Sequence, residues 1–216
     1  MRITFWRPSS ETSSRHRNPL FDPRTHIGPE HIGVDWLHCC SLGVFQFWLA
    51  ELVGDLLDLN AFKCGGASNL GRWTMNFERM REEFFRWHKD EAKRGIHHSK
   101  MQKCTSHMFR TKKGKRICDL HGAETNGLLA FSEKLITKFG AVLSDDRRKW
   151  HDMAGSALRS LIEKIRQNPC VFMLAEAQGF CDDVGRHLTA CDKLGVPNKP
   201  QHHFLVDMAA RFLLRI

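Results

Sequence analysis

The stretch His31–Leu57, HIGVDWLHCCSLGVFQFWLAELVGDLL, decides how we expect this chain to fold. It opens with a β-like run, Ile32–Trp36, and then enters the most apolar helical segment, which we predict to continue from Ser41 to about Asn60. The three- and four-residue spacing of a buried helix face is kept by Phe45, Trp48, Leu49, Leu52, Val53, Leu56 and Leu57. The pattern predicts a short strand leading into a helix at the centre of the core.

Further segments with helical spacing follow this one. We predict helices over Asn69–Arg94, over the short segment Ser99–Phe109, from near Ala123, from an N-cap at Ser144 to about Gln167, from about Cys170 to Leu194, and over Gln201–Ile216. The predicted fold class is mainly α, an irregular bundle of about six helices with one short N-terminal strand.

The first residues differ in character from the rest. Residues 1–29 hold four of the seven prolines, several serines, and scattered Arg and His, so we expect a flexible basic arm there. Residues 30–216 are expected to form one helical domain, and the final Leu213-Leu214-Arg215-Ile216, with no capping glycine, indicates a domain truncated at both ends.

Composition narrows the choice of compartment and partner. The 216 residues carry a net charge of +9, which favours a polyanion such as nucleic acid, although a merely basic protein without such a partner is the alternative. No uninterrupted apolar run predicts a transmembrane helix, and no signal peptide is evident. The eight scattered cysteines indicate reduced thiols. We therefore expect an intracellular protein, with the nucleus favoured, and no membrane partner.

Asp35 and His38 are the first candidate site. A carboxylate and an imidazole at a strand-to-helix junction can face one opening, where they could hold a metal or orient water. The alternative is that Asp35 accepts backbone N–H groups at the helix start while His38 packs beneath it.

Two Cys-x-x-His pairs form a second candidate. Cys104, His107, Cys118 and His121 resemble a zinc ribbon in outline and could together offer a tetrahedral ligand set. The usual groupings are Cys-x-x-Cys and His-x₃₋₅-His, however, so chance spacing is favoured and we predict no metal here.

The third candidate is the tract Arg110–Arg116, RTKKGKR. Its cations Arg110, Lys112, Lys113, Lys115 and Arg116 could contact phosphates or act as a nuclear import signal, whereas the alternative is a solvated loop. Like charges at this density oppose compaction, so an exposed loop is expected in either case. By contrast, Cys39-Cys40 is expected to pack as two small apolar residues.

Three short segments resemble a family. Val34–Val44, VDWLHCCSLGV, is similar to the "D-x-M-H…L-G" segment of eukaryotic cut-and-paste transposases, with the CACTA-type and Kyakuja–Dileera–Zisupton groups nearest. His121–Leu129, HGAETNGLL, and Lys199–Leu205, KPQHHFL, resemble two segments that follow in related reading frames. The order and separations agree, so the resemblance covers about Pro29–Phe212.

The resemblance implies a DDE transposase with an RNase-H-like core, in which a carboxylate triad holds two Mg²⁺ ions. Only Asp35 and His38 carry over, as a supporting motif, while Glu124 matches the second segment without an assigned role. The chain lacks the strands that would bring the first catalytic aspartate. We therefore interpret the chain as the helical insertion of such a core, without a complete triad. We expect it to need no cofactor of its own and to be separated from a missing transposase core.

The functional expectation is a fragment that at most binds DNA or other nucleic acid without specificity through its basic surface. One alternative is a helical module that binds a protein partner through exposed Trp73 or Phe212, and others are a small zinc-binding domain or a metal-dependent enzyme at Asp35 and His38. The oligomeric state stays open.

Overall fold

Six α-helices make up most of the part of the chain that the structure describes. The computed structural model describes residues 37–99, 101, 103–167, 174–197 and 199–214, within the unit Asp35–Ile216. A π-helical turn, Leu37–Val44, leads into α1 (Phe45–Asp58), and the later helices are α2 (Asn69–Lys93), α3 (Gly122–Phe139), α4 (Asp145–Gln167), α5 (Leu174–Leu194) and α6 (Pro200–Leu214). The mainly α fold class is confirmed. The strand predicted at Ile32–Trp36 and the arm over 1–29 lie outside the described residues.

Helix α1 forms the centre of the core, as its spacing predicts. Phe45, Trp48 and Leu49 are fully buried, and so are Leu52, Val53 and Leu56. The adjacent thiols Cys39 and Cys40 in the π-helical turn are also buried, which confirms that they pack as small apolar residues. A hydrogen bond with Cys39, together with burial, raises the pKa of the Cys40 thiol far above its usual range.

Long-range side-chain contacts show that helices pack in antiparallel pairs. On α1 and α4, Asp55 meets Arg147 while the earlier Trp48 meets the later His151. Between α4 and α5, Lys164 bonds to Asp183, and the earlier Ser156 bonds to the later Arg186. In two further pairs, later residues on one helix likewise contact earlier residues on the other. These pairs are α2 with α3, through Glu83–Lys138 and Trp87–Phe131, and α5 with α6, through Cys181–Ala209 and His187–His202.

The helix ends follow ordinary capping chemistry. Ser144 Oγ accepts a hydrogen bond from the Arg147 N–H at 3.3 Å, which confirms the predicted N-cap of α4. Ser68 does the same for α2, through the Gly71 N–H at 3.0 Å. Beyond the other ends of α2 and α5, Gly95 and Gly195 have φ values of +79° and +74°, a conformation that favours glycine.

The helix predicted over Ser99–Phe109 is wrong. The described residues of this segment are irregular except for a short 3₁₀ turn, Ser106–Met108. At the end of this segment the backbone pairs with a later stretch of the chain and does not continue as a helix. The carbonyls of Met108 and Phe109 accept hydrogen bonds from the N–H groups of Asp119 and Ile117 at 2.8 and 3.1 Å.

One stretch, Cys39–Asp58, is long and apolar enough to cross a membrane by length and composition. In the folded chain 78% of that stretch is buried inside the protein, which is what a central core helix requires. Among the described residues this is the one segment that meets the criterion, and its burial leaves the membrane signal weak.

Candidate nucleic-acid interface

The tract 110–116, here called the basic loop, folds as a tight reversal of the chain. Arg110 and Arg116 form an isolated antiparallel bridge at its base. The Thr111 N–H donates to the Lys115 carbonyl at 2.9 Å, and the Gly114 N–H donates back to the Thr111 carbonyl at 2.8 Å. Gly114 has a φ of +82°, which lets the loop turn within so few residues.

The two arginines at the base of the basic loop are committed to contacts within the protein. The Arg116 guanidinium lies 2.6 Å from Glu51, 2.9 Å from Asp55 and 2.7 Å from Asp58. Arg110 lies 3.6 Å from Asp58 and 5.4 Å from the centre of the Trp73 ring. These two residues, which the sequence offered as nucleic-acid contacts, therefore anchor the loop to α1 and α2.

Asp55 connects this anchor to α4. Its carboxylate also accepts hydrogen bonds from Arg147 and, at 2.8 Å, from His151 Nε2. Burial by itself would raise the pKa of Asp55, but hydrogen bonds from His151 and Arg147 and the charge of Arg116 outweigh it and lower the pKa to about 2. The carboxylate is thus held ionised among its cationic partners.

The remaining cations of the basic loop face solvent. The side chains of Lys112, Lys113 and Lys115 are exposed, and no ion pair or side-chain hydrogen bond holds them to the described part of the protein. Three like charges within four residues, on a loop whose base is fixed by Arg110 and Arg116, form a preorganised cationic tip. Its charge is available to an external anion.

A cationic groove runs along α2. It has a volume of about 580 Å³ and is lined by Arg81, Glu82, Phe85, Arg86, Lys89, Lys103, Cys104 and Thr105. Arg81 and Arg86 pair with Glu78 and Glu83 at 2.5 and 2.6 Å, whereas Lys89 and Lys103 have no ion pair among the described residues. The Phe85 ring is 36% exposed, and Arg81 donates to the Cys104 carbonyl at 3.5 Å. Positive charge beside an accessible aromatic ring is the combination that binds phosphates and stacks bases. Sequence spacing could not reveal this groove, because Lys103 comes from a different segment.

The other predicted site residues are placed less favourably. Asp35 and the side chain of His38 lie outside the described residues, as does the side chain of Phe212. Trp73, predicted as an exposed docking residue, is 5% exposed and stacks on Phe77, so that prediction is wrong. Glu124 accepts a hydrogen bond from the His121 N–H at 3.1 Å, which gives it a role at the start of α3.

The four zinc candidates do not converge. Cys104 and Cys118 are buried, whereas His107 and His121 are exposed. Burial raises the pKa of the Cys104 thiol to about 12 and raises that of Cys118 as well. Among the described residues, one group of three potential ligands brings its atoms within 4.8 Å of one another, and none of these four residues belongs to it.

That group consists of His187, Cys191 and His202, and sequence reasoning missed it. The first two lie one turn apart on α5, and the third lies in the first turn of α6. The His-x₃-Cys spacing was visible, but the third member is eleven residues further on, across a helix boundary. His202 comes close to the other two residues only because α5 and α6 pack antiparallel.

Comparisons of this chain with protein-family models, with curated proteins and with solved structures gave no significant match.

Proposed function

We propose that this chain is a transposase-derived helical fragment that binds nucleic acid without sequence specificity and does not cut DNA alone. The observation that supports the binding proposal is that the cations of the basic loop have two different environments. Arg110 and Arg116 fix the loop to the protein, and Lys112, Lys113 and Lys115 are left exposed at its tip. A fixed cluster of cations binds phosphates at a smaller entropic cost than the same cations on a disordered tail.

The cationic groove supplies a second contact region near the basic loop. Phe109, the residue before the loop, packs on Phe77 in the first half of α2, with ring centres 5.6 Å apart. Arg81, Phe85 and Lys89 continue along the helix at four-residue steps, which advance by about 6 Å and rotate by about 40° each. A polyanion bound at the loop could therefore follow α2 into the groove.

The arrangement of acids supports the absence of cleavage by this fragment. Glu51, Asp55 and Asp58, the carboxylates that α1 presents next to the loop, all bind Arg116. They are unavailable as Mg²⁺ ligands while those ion pairs persist. The Mg²⁺-binding triad that the family resemblance implies is therefore not proposed at these three residues, and nuclear localisation is proposed from the proposed DNA partner.

The test is binding of fluorescent single- and double-stranded DNA and RNA at increasing salt. In the triple variant Lys112→Gln, Lys113→Gln, Lys115→Gln, we expect about 10-fold or greater weakening at low salt and a flatter salt dependence, with log Kd changing by about 2 fewer units per unit of log salt. Unchanged affinity and slope would refute the assignment of the interface.

A charge-matched control separates a local interface from general attraction. The exposed residues Lys149, Lys193 and Lys199 lie on or beside other helices, and replacing all three with Gln removes the same charge from the net +9. We expect this control to retain most of the affinity. Equal weakening in both triple variants would show that net charge alone drives binding.

A protein-binding module remains the second candidate because α6 exposes apolar side chains. Phe204 is 52% exposed and Val206 is 45% exposed. This candidate predicts retention of a protein partner by the Lys112, Lys113, Lys115 variant and loss of that partner when Phe204 is changed to Ser.

A further inference from the structure

We propose that His187, Cys191 and His202 form a binding site for one thiophilic metal cation, Zn²⁺ or Cu⁺. The site lies where α5 meets α6, away from the basic loop, and is independent of the proposed nucleic-acid function. All three residues are buried, with exposed fractions of 0%, 4% and 3%. Their potential ligand atoms lie within 4.8 Å of one another, and His187 Nε2 is 3.3 Å from Cys191 Sγ.

The separation of these atoms suits a metal ion. Three atoms at most 4.8 Å apart can surround a point that lies no more than about 2.8 Å from each. Zinc bonds to nitrogen and sulfur are about 2.0 to 2.3 Å long. The ligands therefore need to close in by less than about 1 Å, a distance that side-chain rotation together with a small shift of the first turn of α6 would supply.

His187 is already oriented as a ligand. Its Nδ1 lies 3.3 Å from the Ala154 carbonyl of α4, which can only accept a hydrogen bond, so Nδ1 carries the proton. The lone pair is consequently on Nε2, which points towards Cys191. A backbone carbonyl that fixes the tautomer in this way is the usual outer partner of a metal-bound histidine.

His202 supplies the second, independent observation, because its buried Nε2 has no hydrogen-bond partner. Its Nδ1 accepts a hydrogen bond from the Lys199 N–H at 3.1 Å, at the start of α6. The neutral ring must then carry its proton on Nε2, where nothing accepts it. An unsatisfied polar atom in a site this buried is uncommon, and a metal ion bound at this nitrogen after the proton has moved to Nδ1 would remove the defect.

Coordination through Nε2 requires the His202 proton to move to Nδ1, and the Lys199 bond to break. His202 is therefore the adjustable ligand, and the first turn of α6 is the part that rearranges. Burial lowers the pKa of His187 to about 3 and lowers that of His202, so both imidazoles are neutral, as coordination needs. Burial raises the pKa of Cys191 to about 12, so the cation must displace the thiol proton. Binding forms one metal–sulfur bond and releases one proton to solvent.

The donor set limits the choice of cation. Two imidazoles and one thiolate, without a carboxylate, favour zinc or copper over Mg²⁺ or Ca²⁺. Zinc in structural sites takes four ligands, so Zn²⁺ here would keep an open position, whereas soft Cu⁺ favours thiolate ligands. Since the site is closed to solvent, we expect slow uptake by the folded chain and fast uptake when the chain refolds with the metal.

The test uses the whole chain refolded with Zn²⁺, with Co²⁺ as a spectroscopic substitute, or with Cu⁺ supplied anaerobically from a coloured chelator. We expect one equivalent of Zn²⁺ or Cu⁺ bound, a raised melting temperature, and a thiolate-to-Co²⁺ absorption band. The ion that binds more tightly identifies the natural class. Failure of the wild-type chain to bind either ion would overturn the proposal.

Two variants locate the site. Cys191→Ala is expected to abolish the Co²⁺–thiolate band. His202→Gln is expected to weaken binding at least 10-fold while keeping a side-chain acceptor for the Lys199 N–H, so the start of α6 is preserved. Circular dichroism confirms that each variant folds.

Matched controls come from neighbouring positions. Cys181→Ala removes a thiol from the same helix, and His203→Gln removes the adjacent exposed imidazole. We expect both to bind like the wild type. If the controls weaken binding as much as the two site variants do, the metal is held elsewhere and the proposal fails.

Discussion

Among the described residues, the ion pairs that span the greatest separation in sequence are those of Asp55. The residue is 5% exposed, and its carboxylate binds Arg116, Arg147 and His151, which lie 61 to 96 positions away. A buried carboxylate with this many donors stabilises the fold chiefly because its removal leaves cations without a counter-charge.

We therefore expect Asp55→Asn to lower the free energy of unfolding by about 2 to 4 kcal/mol at pH 7, measured by urea denaturation. Asp58→Asn serves as the control, since its side chain is 40% exposed and also contacts Arg116. That control should lose less than about 1 kcal/mol. Equal losses in the two variants would contradict the special role of the buried carboxylate.

The same residue predicts a pH dependence. The pKa of Asp55 falls from its usual 3.8 to about 2 on folding, so its stabilisation is complete above about pH 4 and is lost as the pH falls towards 2. The shift corresponds to about 2 kcal/mol. Urea denaturation at a series of pH values should show the gap between wild type and Asp55→Asn narrowing by that amount. A gap that stays constant down to pH 2 would show that Asp55 is not held ionised.

Among the helices, α1 and α4 approach so closely that one position on α4 has room only for glycine. A Cβ atom on Gly155 would lie 2.7 Å from Cη2 of the buried Trp48 indole. We expect Gly155→Ala to lower the free energy of unfolding by about 1 to 3 kcal/mol through overpacking.

Gly185→Ala is the matched control for that substitution. Gly185 lies inside α5, and a Cβ there would meet nothing within 4 Å. The same chemical change should raise the free energy of unfolding by about 0.5 to 1 kcal/mol, because alanine favours the helix. Thermal and urea denaturation would measure the change in stability for each variant. A loss of stability in both would mean that packing against Trp48 is not the cause.

Helices that carry a strong apolar stripe and a cap were predictable from the sequence. The stripe of α2 and the Ser144 cap of α4 are local signals, and both match the structure. Asp55 is a charged residue on a mostly apolar helix, and it is buried with arginines from the basic loop and α4 converging on it. Such partners, 61 and 92 positions away, leave no trace in local spacing.

The two candidate sites of the molecule differ in kind: the basic loop is charged and exposed, whereas the His187, Cys191 and His202 cluster is buried. The basic loop was recognisable from composition, because a dense run of cations must reach solvent. The sequence did not reveal which of these cations form ion pairs within the protein, because those pairs depend on where the carboxylates of α1 lie in the fold. The cluster of His187, Cys191 and His202 was equally hidden, because only the packing of α5 against α6 brings its members together.

The bond from the Cys39 thiol to the Gln201 carbonyl, at 3.3 Å, spans 162 positions of the chain. Three of the antiparallel pairs, α2–α3, α4–α5 and α5–α6, by contrast join consecutive helices, so their loop-closure entropy is small and they can form early. Docking of α6 on the π-helical turn should then be the slow, late event of folding. Weakening that contact should mainly accelerate unfolding and leave the refolding rate almost unaltered.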